Sequence, residues 1–196
     1  MQSNGREWTD GTAIVFDHYD LKVDRLLSPT TLVDDNYETN ALVGGYGTST
    51  TPLTELGGKY WMPRMADGVV PREENGKLEF KWQSRSTSEV PNAFWKGNST
   101  NRNRFKQFLG GGGAGIRMED DGPYVLPIQA LTHDGKKVSL VILAKRANHR
   151  WEFSDDESDE GCIQPAVLEW YDKSLLMMTS CEDGSRRVYW ANEEGS

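Results

Sequence analysis

Four dipeptides that favour tight turns divide this sequence into short segments. They are Asn75-Gly76, Asp121-Gly122, Asp134-Gly135 and Asp183-Gly184, and each lies between apolar or alternating runs of residues. Such dipeptides supply the positive φ angles that β-hairpin turns require. We therefore expect a chain of short antiparallel strands that are joined by hairpins.

The segments between the turns have the periodicity of strands. In residues 77–83 apolar side chains alternate with charged ones, which predicts a half-buried strand. We predict further strands at residues 13–16, 40–46, 124–131, 138–144, 166–170, 174–179 and 187–190. Residues 101–109 space Phe105, Phe108 and Leu109 at i, i+3 and i+4 before a run of glycines, which predicts one short helix. The sequence as a whole predicts an all-β fold.

Composition and charge exclude several classes of protein. The 196 residues carry 30 acidic and 22 basic side chains, which gives a formal net charge of −8. An acidic chain without a basic stripe lacks the attraction to phosphate on which nucleic-acid binding depends. The longest apolar runs are far shorter than the roughly 18 to 20 residues of a membrane span, and residues 1–10 do not resemble a secretory signal. We expect no nucleic-acid partner and no membrane span in this chain.

Two patterns that could suggest a cofactor have simpler interpretations. Gly110, Gly112 and Gly115 satisfy GxGxxG, but a dinucleotide site needs a strand before the glycines and a helix after them. Here a predicted helix precedes and a predicted strand follows, so we interpret the glycines as a close-packed bend. The acidic run 155–160 does not match a calcium-binding loop, because Gly161 is one position late and Ala166 occupies the twelfth position. The sequence predicts no cofactor and no bound metal.

A weak repeat surrounds several tryptophans. Compared with the Asp-box pattern SxDxGxTW, residues 2–8 keep Gly5 and Trp8, residues 145–151 keep Trp151, and residues 191–196 keep Gly195. In such a turn Ser and Asp side chains satisfy backbone donors, Gly adopts a left-handed conformation and Trp packs beneath. We expect a structural role for these residues.

A family resemblance becomes specific in the second half of the chain. The segments FLGGGGAGIRMEDDGPYVLPIQA (108–130), VSLVILA (138–144) and GCIQPAVLEW (161–170) resemble, in order and spacing, the catalytic-domain core of the trypanosome trans-sialidase and sialidase superfamily. Earlier segments, SPTTLV (28–33), ALVGGY (41–46) and KYWMPRMADGVV (59–70), fall at equivalent places. The resemblance implies a six-bladed β-propeller. Residues 1–196 are similar to an internal part of that domain, of about two to three blades, that is truncated at both ends and leaves apolar faces uncovered.

The resemblance also assigns chemical roles to positions of this chain. Sialidases of this kind use a Tyr nucleophile that a Glu assists, arginines that bind the sugar carboxylate and an Asp for proton transfer. The place of the assisting Glu is Gln164, the place of one arginine is Ser180, and the place of an Asp at the acyl-amide pocket is Ser28. The aromatic pair that holds an acceptor sugar in transferring enzymes has no counterpart at residues 51–53.

These departures imply a catalytically inactive member that resembles the non-enzymatic surface-glycoprotein branch. Its implied role is adhesion, with sialylated or other host glycoconjugates as partners, at the cell surface or in secreted form. The alternative is an active exo-α-sialidase or trans-sialidase in which other residues compensate, and a third possibility is a gene remnant without function. Arg186 and Arg187 follow the lost arginine, and we interpret them as solvated strand ends rather than a substitute clamp.

Two further features bear on location. Cys162 and Cys181 are the only cysteines, and in the non-enzymatic branch a Cys recurs at the second place together with the first. The resemblance implies a disulfide, which suits an oxidising compartment, and two buried free thiols are the alternative. Asn98 begins an Asn-Ser-Thr sequon, which predicts N-glycosylation if the protein is secreted.

Overall fold

The computed structural model describes residues 26–33, 38–46, 61–69, 81–89, 105–145 and 150–192. Their only helical element is a 3-10 turn, Tyr171–Lys173. The described residues therefore contain no helix that is long and apolar enough to cross a membrane. Their strands are β1 (Leu26–Val33), β2 (Glu38–Tyr46), β3 (Trp61–Val69), β4 (Lys81–Glu89), β5 (Phe105–Gly110), β6 (Ile116–Arg117), β7 (Tyr124–Thr132), β8 (Lys137–Lys145), β9 (Arg150–Phe153), β10 (Cys162–Trp170), β11 (Ser174–Cys181) and β12 (Arg186–Ala191).

The strands form three antiparallel sheets. The first sheet has the order β1-β2-β3-β4, the second has the order β5-β7-β8-β9 with β6 beside β7, and the third has the order β10-β11-β12. Neighbours in a sheet are mostly consecutive in the chain, as they are in the blades of a β-propeller. The predicted all-β architecture of two to three blades is therefore confirmed.

Most of the predicted strands are present. The runs 40–46, 124–131, 138–144, 166–170, 174–179 and 187–190 lie within β2, β7, β8, β10, β11 and β12. Strand β4 begins at Lys81 and includes only the end of the run 77–83. The rest of that run and residues 13–16 lie outside the described residues.

The helix predicted at residues 101–109 is wrong over its described part. Residues Phe105–Gly110 form β5, which pairs with β7. A register shift between Phe105 and Gln107 marks a bulge, and a bulge displaces the side chains after it by one position from strict alternation. Phe105 and Phe108 are therefore both buried although they are three residues apart. Here the helix-like spacing belongs to a bulged strand.

Two of the predicted hairpin turns have the expected geometry. The amide of Gly135 donates to the carbonyl of Thr132 at 3.1 Å, and the amide of Gly184 donates to the carbonyl of Cys181 at 2.9 Å. Both glycines have a positive φ, 86° and 82°. Each closes a short loop between neighbouring strands in the left-handed conformation that glycine adopts without steric cost.

The turn between β6 and β7 lies one residue earlier than its dipeptide indicates. Asp120 and Asp121 have positive φ angles of 51° and 60°, and the amide of Gly122 donates to the carbonyl of Glu119 at 2.9 Å. Gly122 is required for space instead, because an added Cβ would lie 2.7 Å from Cβ of Met118. The remaining dipeptide, Asn75-Gly76, lies outside the described residues.

Two apolar clusters hold the three sheets together. Both faces of β7 and β8 contribute to them, so these strands are buried almost continuously. The first cluster joins the first and second sheets and contains Leu32, Leu42, Phe105, Phe108, Tyr124, Leu126, Ile128, Ala130, Val138, Leu140, Ile142 and Ala144. The second cluster joins the second and third sheets and contains Met118, Val125, Val141, Leu143, Leu175 and Met177.

The third sheet has one covered face and one apolar face in contact with water. Leu168, Trp170, Met178, Val188 and Trp190 are between 45% and 66% exposed, and we call these five residues the open apolar face. Met178 faces Val188 across β11 and β12. Apolar side chains in contiguous rows are unusual on a free surface.

Candidate functional site

A glycine segment, residues 110–115, connects the first sheet to the second. The amide of Thr31 donates to the carbonyl of Gly113 at 3.2 Å, and the amide of Gly115 donates to the carbonyl of Thr31 at 2.7 Å. The amide of Gly112 donates to Oγ1 of Thr30 at 3.3 Å. These bonds fix β1, the strand that carries Ser28, against the glycine segment.

The same segment lets the second and third sheets approach closely. A Cβ on Gly111 would lie 2.9 Å from the carbonyl oxygen of Pro127 and 3.1 Å from that of Pro165. Gly112 has a φ of 78°, which glycine tolerates best. The GxGxxG pattern lies between β5 and β6, with a strand on both sides, so the geometry is that of a β bend rather than a dinucleotide loop.

Gln164 lies at a bulge near the start of β10. The register with β11 shifts between Ile163 and Ala166, and Gln164 has a φ of 55°. Residues with a Cβ seldom occupy this left-handed region, and they do so where the surrounding structure enforces it. The side chain of Gln164 is exposed. The bulge therefore presents position 164 away from the strand ladder.

Gln129 contacts this bulge from the neighbouring sheet. Its Oε1 accepts a hydrogen bond from the amide of Gln164 at 3.2 Å, and its Nε2 donates to the carbonyl of Gly110 at 3.0 Å. Sequence reasoning missed Gln129, because a glutamine in a strand gives no signal for a contact with another sheet. Gln129 is thus a residue that the structure, and not the sequence, brings to the site.

Ser180 lies next to the bulge on β11. It pairs with Ile163 on one side and with Arg186 on the other, and its side chain is half-buried. Gln164 and Ser180 thus occupy adjacent strands at the same end of the third sheet. Ser28 lies on β1 within the register shift between Leu27 and Thr30, and it is linked to this region through the glycine segment.

A disulfide closes the same end of the third sheet. Cys162 and Cys181 face each other in register and are bonded, with their Cα atoms 4.0 Å apart. The carbonyl of Cys162 accepts hydrogen bonds from Oγ of Ser139 at 2.9 Å and from Oγ of Ser158 at 3.2 Å. The start of β10 is therefore held both by its own sheet and by polar contacts immediately before the bulge.

Arg187 is held by two carboxylates at the same end of the third sheet. Its guanidinium contacts Asp159 at 2.6 Å and Asp183 at 2.9 Å, and the hydroxyl of Tyr189 donates to Asp159 at 3.1 Å. The hydrogen bond from Arg187, followed by that from Tyr189, lowers the pKa of the Asp159 carboxyl. The two carboxylates in turn raise the pKa of Arg187. The neighbouring Arg186 is exposed and lies opposite Ser180.

The other residues singled out in the sequence are placed as follows. Trp151 lies on β9 opposite Ala144 and packs, partly buried, against the first cluster. Gly5, Trp8, Asn98 and Gly195 lie outside the described residues. Within the described ranges, no group of three or more His, Cys, Asp or Glu side chains is arranged to hold a metal ion.

The fold and the sequence together define the class of protein. Sheets that are each built from consecutive antiparallel strands and that pack face to face through apolar clusters have the arrangement of neighbouring blades in a β-propeller. A family model, the BNR repeat-like domain, matches residues 1–196. The chain therefore belongs to the BNR repeat-like family, and its relatives place it in the trans-sialidase and sialidase superfamily.

Two trypanosomal proteins are similar in sequence. A sialidase of Trypanosoma cruzi is 30% identical over 177 residues, which are 88% of this chain and 14% of that protein. Sialidase 85-1.1 of Trypanosoma cruzi is 34% identical over 96 residues, which are 48% of this chain and 12% of that protein. The matched residues thus make up about one seventh of the length of the first curated relative and about one eighth of the second.

Solved structures of Trypanosoma rangeli sialidase are similar in fold. The complex with sialic acid has a TM-score of 0.72 and 26% identity, with 87% of this chain and 27% of that chain covered. The complex with the inhibitor DANA has a TM-score of 0.76 and 25% identity, with 98% and 30% covered. A Hadza microbial sialidase, Hz136, shares the fold at a TM-score of 0.61 and 17% identity.

Proposed function

We propose that this chain is part of a sialidase-superfamily protein that binds sialylated glycans without hydrolysing them and serves in adhesion. The observation that carries the proposal is the residue at position 164, where an amide stands on an exposed bulge beside Ser180. By the family resemblance, this is the place of the carboxylate that assists the nucleophilic Tyr.

The exchange of a carboxylate for an amide removes the base. A phenol is a weak nucleophile until its proton is accepted, and the Gln164 side chain cannot accept it at neutral pH. Loss of a general base typically lowers the rate by about 100- to 10,000-fold. A protein with Gln164 is thus expected to release a bound sialoside unchanged far more often than it cleaves it.

Ser180 and Ser28 affect binding rather than proton transfer. A guanidinium binds a carboxylate with two charge-assisted hydrogen bonds, which a hydroxyl cannot imitate. A hydrogen bond to a charged group contributes about 1.5 to 3 kcal/mol. Its absence at position 180 corresponds to an affinity for the sugar carboxylate that is about 10- to 150-fold lower. Adhesion would then depend on several weak contacts at once.

Two observations support a glycan partner and a surface location. The similar Trypanosoma rangeli sialidase has been solved with sialic acid and with DANA. The Cys162–Cys181 disulfide is of a kind that persists in oxidising compartments. A glycan on Asn98 and recognition of host glycoproteins would fit the same location, and both belong to this proposal.

The proposal is tested by measuring hydrolysis and binding on the same purified protein. With a fluorogenic sialoside we expect no turnover above background, and in a titration we expect sialyllactose to shift NMR signals at the third sheet whereas lactose does not. Turnover above background would overturn the inactive assignment. Equal shifts with both sugars, or none, would overturn sialic acid recognition.

A set of variants tests the chemical reason. Neither Gln164→Glu nor Ser180→Arg alone is expected to give turnover, and any gain should need both substitutions in a protein that carries the nucleophilic Tyr. Asn192→Asp makes the same amide-to-carboxylate change at an exposed position after β12 and serves as the matched control. Full activity of the unmodified protein, unchanged by the double substitution, would favour the active-enzyme alternative.

A further inference from the structure

We propose that Gln129 is a positioning residue, which holds the bulge in β10 and so determines how the side chain at position 164 is presented to the candidate site. The inference rests on the proposed function in one respect, because it concerns the same site. The inference predicts the backbone conformation of Gln164, which can be measured without any glycan.

The side-chain amide of Gln129 accepts one hydrogen bond and donates another. Its Oε1 accepts from the amide of Gln164 at 3.2 Å, and its Nε2 donates to the carbonyl of Gly110 at 3.0 Å. A backbone amide can only donate and a carbonyl can only accept, so a single orientation of the Gln129 amide satisfies both partners. Gln129 thus joins β5, β7 and β10, which belong to two different sheets.

The bulge takes Gln164 out of the strand ladder. A bulged residue loses its ladder partner, so its backbone amide bonds either water or a group from elsewhere in the protein. In addition, Gln164 has a φ of 55°, which opposes a residue with a Cβ. The hydrogen bond to Gln129 pairs the amide in this left-handed conformation and so favours that conformation.

The close approach of the sheets makes the contact possible. The space at Gly111 is too small for a Cβ, with carbonyl oxygens of the second and third sheets at 2.9 and 3.1 Å. Because the Gly110 carbonyl lies beside this contact, Gln129 can reach it and the bulge at the same time. Position 164 is therefore set by the second sheet as well as by its own strand.

Two substitutions test the two hydrogen bonds of Gln129 separately, because each removes one bond and keeps the other. Gln129→Glu keeps an acceptor for the Gln164 amide and loses the donor to Gly110. Gln129→Lys keeps a donor for Gly110 and loses the acceptor. Both introduce a charge at the same half-buried position, so each is the control of the other for general destabilisation.

The measurement is NMR of the purified protein with isotope labels. In Gln129→Lys we expect the Gln164 amide to exchange with solvent at least tenfold faster and its 13Cα and 13Cβ shifts to leave the left-handed range. In Gln129→Glu we expect less than a threefold change in exchange and unchanged carbon shifts. The amide of Met177, within the same sheet, should keep its exchange rate in both variants.

The outcomes separate this inference from the proposed function. If the two variants affect Gln164 equally, or neither affects it, the positioning role of Gln129 is overturned, whatever the protein binds. If only the lysine variant alters Gln164 but the unmodified protein ignores sialyllactose, the positioning role stands and the glycan proposal fails. If Gln129→Lys does not fold, Gln129→Met, which is uncharged and has neither the acceptor nor the donor, takes its place with the same expected change at Gln164.

Discussion

Cys162 and Cys181 face each other in register on β10 and β11 and are joined by a disulfide. The bond lies two residues before Gln164 and one residue after Ser180. Two of the positions that, by the family resemblance, depart from the catalytic pattern are therefore adjacent to the only covalent cross-link among the described residues. The disulfide thus ties β10 to β11 at the end of the third sheet where the candidate site lies.

Removal of the disulfide should lower the free energy of unfolding. The two cysteines are 19 residues apart, and closing a loop of that order stabilises by about 3 kcal/mol, chiefly by restricting the unfolded chain. We expect this loss for Cys162→Ser combined with Cys181→Ser, measured by urea unfolding followed by far-UV circular dichroism. Reduction of the unmodified protein should reproduce it. A loss below about 0.5 kcal/mol would contradict the expectation.

The aromatic residues of β5 should contribute strongly to stability. Phe108 is 2% exposed and stacks on Phe153 with ring centroids 4.9 Å apart. Truncation of a buried Phe to Ala costs about 3 to 5 kcal/mol, so Phe108→Ala should lower the free energy of unfolding by that amount. Tyr171→Ala is the matched control, because Tyr171 is 78% exposed and its loss should change stability by at most about 0.5 kcal/mol. Similar losses for both variants would contradict the burial of β5.

Two neighbouring glycines should respond differently to a methyl group. In Gly111→Ala the added Cβ meets backbone oxygens at 2.9 and 3.1 Å, whereas in Gly113→Ala it meets nothing within 4 Å. Overpacking costs about 1 to 3 kcal/mol, so Gly111→Ala should destabilise by this amount. Gly113→Ala should be neutral or stabilising by up to about 1 kcal/mol, since it restricts only the unfolded chain. The free energy of unfolding of both variants is measured in urea. A greater loss of stability in Gly113→Ala than in Gly111→Ala would refute the close approach of the sheets.

Stability should fall in acid through the Arg187 ion pairs. The hydrogen bond from Arg187 lowers the pKa of Asp159 below its ordinary value of 3.8, and bonds from Ser185 and then Arg187 lower that of Asp183. The unfolded chain therefore takes up protons first, so this contribution is present above pH 3.8 and is lost as the pH falls through the lower folded pKa. Asp159→Asn should flatten the dependence of unfolding on pH below that value. Because the pairs are exposed, 1 M salt should flatten it too, and a slope that neither change affects would argue against the assignment.

The hairpins and most of the strands could be predicted because their signals are local. Alternation of apolar and polar residues specifies the period of a strand. The Asp-Gly dipeptides at residues 134–135 and 183–184 specify the hairpin turns. The family resemblance added the order of the segments and the chemical meaning of Ser28, Gln164 and Ser180. These inferences need no knowledge of which strands pair.

The errors and omissions arise at two bulges and at one tight turn. Local spacing at Phe105 and Phe108 imitates a helix, because an inserted residue in β5 restores both side chains to the buried face. The bulge at Gln164 and its contact with Gln129 depend on how two sheets pack against each other. The sequence of one strand does not show which residues of another sheet it will contact. The turn at Asp120 and Asp121 was misplaced because Gly122 serves close packing instead of a positive φ.

The open apolar face has a practical consequence for following the folding of this protein. Leu168, Met178 and Val188 offer the native state a surface to which environment-sensitive dyes adhere, so a dye-based melting scan would begin with a high signal and lose contrast. Trp170 and Trp190 are 54% and 66% exposed, and their emission should change little on unfolding. Among the tryptophans whose burial is described, Trp151 is the better reporter, since it is partly buried against the first cluster and loses that packing on unfolding.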